Sequence, residues 1–157
     1  MTTIFLILIA FLLNRVRRGG FFTLTDRGET IKQKWGHLTS IASIKWGIPE
    51  NVIIATIGIE SDGNPNLVGN LKEIGLMQLL PETFSDYERR NNVTIFNPFN
   101  PANNIDAGSW YLSEVQKNFP LEKWYEKIQA YNVGIAGYRK GRRNPDYINR
   151  LRLFVNF

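Results

Sequence analysis

The chain has 157 residues, room for one domain with a real core, and 43% of them are hydrophobic, which excludes an intrinsically disordered chain. It has no cysteine, so disulfides, thiolate metal sites and a cysteine nucleophile are excluded. A single histidine, His37, rules out a histidine-rich metal site and leaves a Ser-His-Asp triad one imidazole at most, while a net charge of +5 favours anionic partners such as cell-wall polymers, membrane surfaces or nucleic acid.

Ile4 to Leu13 is an unbroken apolar run, followed by Arg15, Arg17, Arg18 and then Gly19-Gly20. We expect an N-terminal apolar helix over residues 1–18, anchoring the chain in a membrane through residues 4–13. A normal span needs about 20 apolar residues, so this run crosses only with bilayer thinning or snorkelling arginines. A helix buried in a protein partner is the alternative. A signal peptide fits poorly, because the basic residues follow the apolar core and no small-x-small cleavage site comes after it. The positive-inside rule would leave the following domain in the cytoplasm. Storage in a virus-like particle and later delivery would resolve that, as would a run too short to obey the rule.

Residues 19–25 are expected to be a linker and residues 26–157 the folded domain. Asp26 with Glu29 fits a capping box, and Ile31, Trp35, Leu38, Ala42 and Lys45 fall at helical spacing, with Ile41 and Ile44 widening the face. A first helix is therefore predicted over about residues 26–46, with His37 beside its stripe as a surface histidine. Gly47-Ile48-Pro49 stops it and starts the next. Asn51 to Glu60 is apolar almost all round between its polar ends and is predicted as the central buried helix.

Glu60 then faces a physical conflict. It closes a buried helix, where burial and the negative end of the helix dipole both disfavour a charged carboxylate. Both effects push toward a proton held near neutral pH, which a general acid requires. An exposed glutamate that merely ends the helix is the other reading, and local sequence does not choose between them. Ser61-Asp62-Gly63-Asn64-Pro65 is dense in turn formers, so the chain leaves the helix sharply. Residues 66–74 show no clear period. Gly75 allows close backbone approach before Leu76-Met77-Gln78, and Gln78, polar between apolar neighbours, must face a cleft or find a buried partner. Further helices are predicted over residues 81–90, 101–118, 121–131 and 145–154, with a basic glycine-containing loop over residues 137–144.

Four motifs in order resemble the soluble lytic transglycosylase family: Glu60-Ser61-x-x-Asn64-Pro65, Gly75-Leu76-Met77-Gln78, Asn100-Pro101-x-x-Asn104-Ile105-x-x-Gly108-x-x-Tyr111-Leu112, and Ala130-Tyr131-Asn132-x-Gly134. The similarity covers roughly residues 27–155. It implies a mainly α, lysozyme-like fold related to goose-type lysozyme, with at most a small β region near residues 66–78. It further implies cleavage of the MurNAc-GlcNAc β-1,4 bond of peptidoglycan without water, with Glu60 as the single catalytic residue, acid first and base second. The sugar's own C6 hydroxyl would close a 1,6-anhydro ring, and its N-acetyl group would stabilise the cationic centre. On this resemblance Tyr131 orients Glu60, while Gln78, Asn132, Tyr147, Asn70 and Ser61 contact substrate. The family often has a serine where this chain has Gly69, whose hydroxyl can hold the N-acetyl group; Asn70 is the expected replacement. No metal or cofactor is implied.

A muramidase hydrolase of the same fold would need a second carboxylate, about 6.5 to 9.5 Å from the first, to activate a water. Asp62, Glu73 and Asp106 are its candidates. A non-catalytic anchor or a nucleic-acid binder is the remaining class. The basic residues Arg139, Lys140, Arg142, Arg143, Arg150 and Arg152 are better read as a solvated face or as attraction for an anionic wall, so no specific nucleic acid is expected. The expected partners are peptidoglycan glycan strands, a membrane and other virion proteins. The expected setting is a phage particle opening the wall at entry, with the bacterial envelope as the alternative.

Overall fold

The computed structural model describes residues 22–95 and 97–157. The apolar run over residues 4–13, and with it the expected membrane helix, lies outside the described residues. Among those residues no helix is long and apolar enough to cross a membrane.

The order is β1 (Thr23–Leu24), α1 (Asp26–Trp46), α2 (Glu50–Ser61), α3 (Pro81–Asn91), α4 (Pro101–Asn118), α5 (Trp124–Val133), α6 (Ile135–Arg139), α7 (Pro145–Leu151) and β2 (Val155–Asn156). The mainly helical expectation holds. The small β region expected near residues 66–78 amounts to isolated bridges, Val68 with Ile74 and Ile74 with Leu79. Among the described residues a two-stranded ladder, not expected from the sequence, joins the two ends of the domain, Thr23 against Asn156 and Leu24 against Val155, antiparallel. Thr23 and Leu24 therefore belong to the domain rather than to a linker. Phe22 is buried, and its ring lies 5.4 Å from that of Phe157.

α2 is the axis of the core. Val52, Ile53, Ile54, Ala55, Ile57 and Ile59 are all buried, as expected of a helix apolar on every side. Fully burying each Val or Ile is worth about 1.5–3 kcal/mol. α1, α5 and α7 pack around it. α1 runs over the predicted residues but is capped differently: Thr25, not Asp26, is the N-cap, its hydroxyl accepting from the Gly28 N–H at 3.3 Å. The same hydroxyl donates to the Leu153 carbonyl at 2.6 Å, so the cap also ties α1 to the turn before the C-terminal strand. Ile31 and Ala42 are buried, but Ile41 and Ile44 are exposed, and the apolar face is narrower than the pattern suggested. His37 is exposed, as expected.

Three boundaries differ from the sequence reading. α5 begins at Trp124, where the Glu126 carboxylate reaches back to accept from the Lys123 N–H at 2.9 Å. The expected loop over residues 137–144 opens with the short helix α6. α7 ends at Leu151 rather than Phe154, because the chain turns to make β2.

Candidate active site

Glu60 stands in the last turn of α2, where the chain must leave a fully buried helix. Asp62 ends that helix in the left-handed region (φ 52°), its N–H donating to the Gly58 carbonyl. The departure is held from several sides. Arg27 of α1 grips the Asp62 carboxylate with two bonds, 3.1 and 2.8 Å. The Gly63 carbonyl accepts from Trp35 Nε1 at 3.2 Å. The Ser61 hydroxyl, buried, donates to the Ile57 and Leu76 carbonyls at 3.1 and 2.8 Å.

The returning segment, residues 66–80, folds back on itself. Gly75 N–H donates to Leu67 O, while Ile74 and Leu79 exchange both backbone bonds. Gly75 has φ 78°, and a Cβ there would stand 2.4 Å from Asn104 Nδ2, so glycine is required twice over. Asn104 of α4 is completely buried. Its Oδ1 accepts from Met77 N–H at 2.8 Å, and its Nδ2 donates to the Ile74 and Pro98 carbonyls at 2.9 and 3.0 Å. This one side chain fixes the backbone on either side of Gly75.

α7 supplies the partner of Glu60. The Tyr147 hydroxyl, buried, donates to Glu60 Oε1 at 2.5 Å. Its helix is set by Asn144, whose Oδ1 accepts from Tyr147 N–H at 3.1 Å and whose Nδ2 donates to Asn132 Oδ1 at 2.9 Å. Burial pushes the Glu60 carboxyl up from 4.5 to about 7, against the Tyr147 hydrogen bond and the Arg150 charge, which favour the ionised form; the Glu73 charge adds to the rise. Burial, and then the neighbouring Glu60 carboxylate, hold the Tyr147 and Tyr131 hydroxyls well above the usual tyrosine range. A carboxyl that gains and loses its proton near neutrality, held by a phenol that stays protonated, can do acid and base work in turn.

The family model for the transglycosylase SLT domain matches residues 37–149. The chain belongs to this family. Among curated relatives, the membrane-bound lytic murein transglycosylase C of Photorhabdus laumondii is 38% identical over 104 residues, 59% of this chain and 29% of that protein. The enzyme of that name from Haemophilus influenzae is 32% identical over 122 residues, 71% of this chain and 34% of that protein. The endo-type membrane-bound lytic murein transglycosylase A of Salmonella paratyphi B is 40% identical over 93 residues, 56% of this chain and 45% of that protein. The chain thus spans less than half the length of these relatives. Among solved structures, an inactive mutant of the lytic transglycosylase Slt of Pseudomonas aeruginosa superposes with a TM-score of 0.62 at 24% identity, covering 75% of this chain and 20% of that one. The complex of the 70-kDa soluble lytic transglycosylase with bulgecin A gives 0.64 at 21% identity, covering 80% and 20%. At these identities the structural likeness is one of fold.

Within this SLT domain the expected site residues divide. Glu60 and Tyr147 meet directly. Tyr131 is close enough to feel the Glu60 charge but is not its hydrogen-bond partner: its hydroxyl donates to the Met77 carbonyl at 2.8 Å, and its ring packs on Tyr111. Tyr147 does what was expected of Tyr131. Ser61, expected to touch substrate, is instead buried with its hydroxyl spent on two carbonyls. Gln78, at φ 44°, spends its amide N–H groups on the Leu67 and Gly75 carbonyls, at 3.1 and 2.8 Å. Asn70 and Asn132 are exposed. The structure adds Asn104 and Arg150 to the site, the first holding the Gly75 backbone and the second placing its charge near Glu60. Arg150 had a signal: it follows Tyr147 by three positions on one helix, and so shares its face.

Proposed function

We propose that this SLT domain is a peptidoglycan lytic transglycosylase that cleaves the MurNAc-GlcNAc β-1,4 bond and leaves a 1,6-anhydroMurNAc end. Membership of the family carries this reading, and the pairing of Glu60 with Tyr147 supports a single-carboxyl mechanism. Glu60, protonated, gives its proton to the glycosidic oxygen as the C1–O bond breaks. The GlcNAc side leaves with its 4-hydroxyl restored, and the substrate's N-acetyl group stabilises the cationic C1. Glu60, now a carboxylate, takes the proton of the muramic C6 hydroxyl as that oxygen bonds to C1. The acid is thereby regenerated and no water is consumed. Gln78, Asn70 and Asn132 would line the sugar subsites, with Tyr147 holding Glu60 throughout.

Mass spectrometry of a digest of purified wall tests this. Muropeptides lighter by one water than hydrolysis products are expected, and Glu60→Gln should abolish release. Reducing MurNAc ends would sink the lyase reading in favour of hydrolysis. For hydrolysis, two of the three second-carboxylate candidates are already engaged. Asp62 pairs with Arg27, and Asp106 is held by Lys45, Trp46 Nε1 and the Tyr87 hydroxyl. Only Glu73 remains within charge reach of Glu60.

The setting we propose is local wall opening from a membrane surface, with residues 1–18 as anchor and residues 26–157 as the core of the transglycosylase domain. Relatives named membrane-bound and found in bacteria support the cell envelope. A phage virion is the other setting, resting on the apolar run over residues 4–13, and detection of the chain in purified particles by proteomics would decide for it.

A further inference from the structure

Gly69 lies within the returning segment with no side chain, and something else fills its space. A Cβ at Gly69 would stand 2.3 Å from Glu73 Oε2 and 2.8 Å from Gln78 Oε1. The obstacle is side chains, not backbone, since Gly69 is absent from the positive-φ glycines. Glu73 is seated there by its own loop. Its Oε2 accepts from Leu71 N–H at 2.9 Å, while Gly69 N–H donates to the Glu73 carbonyl at 2.8 Å. Among the described residues no donor is bonded to Glu73 Oε1, and the side chain is only partly buried.

We propose that Gly69 and Glu73 work as a pair: the Glu73 carboxylate occupies the space over Gly69 and offers Oε1 as an acceptor to an N–H or O–H of the bound sugar, making Glu73 a specificity-determining residue. This rests on the wall-sugar reading above. Three observations converge on it. Glu73 Oε2 and Gln78 Oε1 both border the space over Gly69, in the segment that faces the end of α2. The Glu73 charge adds to the upward push on the Glu60 carboxyl. One oxygen is tethered, which orients the other without the entropy cost of ordering a loose side chain. A carboxylate can only accept, so the pair selects donors on the sugar, where a serine hydroxyl could also donate.

The test uses the Glu60→Gln chain, so that ligand is not consumed, and a chitopentaose (five β-1,4-linked GlcNAc units) as probe in calorimetric titration. Adding Glu73→Ala should weaken binding roughly tenfold, the loss of one charge-assisted hydrogen bond. Glu73→Gln keeps an acceptor oxygen and should recover part of that loss. Gly69→Ser alone displaces the carboxylate and should weaken binding about as much as Glu73→Ala, whereas Gly69→Ser with Glu73→Ala should return to within roughly threefold of the parent, because the hydroxyl then takes the vacated place. Unchanged affinity in Glu73→Ala, or parental affinity in Gly69→Ser alone, overturns the pairing. Melting temperatures of all four variants guard against a folding defect, and Glu73→Gln, the mildest change, keeps the question answerable if Glu73→Ala unfolds. Wall lysis by the unmutated chain is scored separately. Its absence alongside the binding pattern above would refute the transglycosylase reading and leave the pair standing.

Discussion

Glu60→Gln should stabilise the folded chain at alkaline pH and not at acid pH. Glu60 is at the end of a buried helix, and its carboxyl is pushed up from 4.5 to about 7, chiefly by burial. Between those values the folded chain keeps a proton that the unfolded chain has released, so stability falls as pH rises through this window. The full difference corresponds to about 3 kcal/mol, an upper figure because the residue keeps some solvent contact. Glutamine has nearly the same shape, still accepts from Tyr147, and never ionises. Urea denaturation of both chains should therefore give matching stabilities near about pH 4 and a gap of about 2–3 kcal/mol in favour of the variant near about pH 8.5. In a thermal melt at the higher pH that gap is worth roughly 4–12 °C for a chain of this size. Equal stabilities at both pH values would falsify the claim that the protein holds a desolvated carboxyl at this position.

The other expectations concern the same machinery. kcat/KM on purified wall should decline as pH rises through about 7, because the acid form of Glu60 is then lost. In Tyr147→Phe that alkaline limb should move to higher pH, since the hydroxyl now favours the carboxylate, and kcat should fall roughly tenfold to a hundredfold as Glu60 loses its orientation; an unmoved limb would dissociate Tyr147 from the acid. Asn104→Ala removes three buried hydrogen bonds and should cost about 3 kcal/mol in denaturant titration. It should also lower wall lysis in the fraction that stays folded, because the Gly75–Gln78 backbone loses its fixed point.

Much of this was legible because the decisive patterns are local. An apolar run with no polar face could be a buried helix or a buried strand, its length and its proline start favour the helix, and α2 is one. The turn formers after Glu60 announced a sharp exit, and Asp62 makes it in the left-handed region. What the sequence could not disclose was pairing across the chain. Tyr131 and Tyr147 are both buried aromatics on helices, each with one hydroxyl to satisfy, and no spacing rule says which reaches Glu60. The answer depends on where Asn132 and Asn144 start the last helix, a contact between residues 12 positions apart. The ladder between Thr23–Leu24 and Val155–Asn156 was hidden for a similar reason. Two residues per strand leave no alternation to read, and their partners lie at opposite ends of the domain. The place of Ser61 was hidden too: a hydroxyl at the end of a buried helix is first needed to satisfy carbonyls, and a sequence motif does not show which carbonyls lie within reach.

The balance around Glu60 bears on how one carboxyl would serve twice in the proposed mechanism. Burial alone would hold the proton firmly, which would suit the proposed first step and defeat the second, where the carboxylate would have to survive until the C6 hydroxyl yields its proton. Tyr147 and Arg150 work in the other direction, stabilising the ionised form with a hydrogen bond and a charge. Both come from α7, three residues apart, while the desolvation comes from the packing of α2. The two opposing influences thus belong to separate elements and can be altered separately. Loosening the core around α2 should favour the charged form, and removing the α7 donors should favour the protonated one. A carboxyl poised near neutrality by that opposition has both forms within about 1–2 kcal/mol of each other at pH 7, which is what acid-then-base chemistry on a single residue requires.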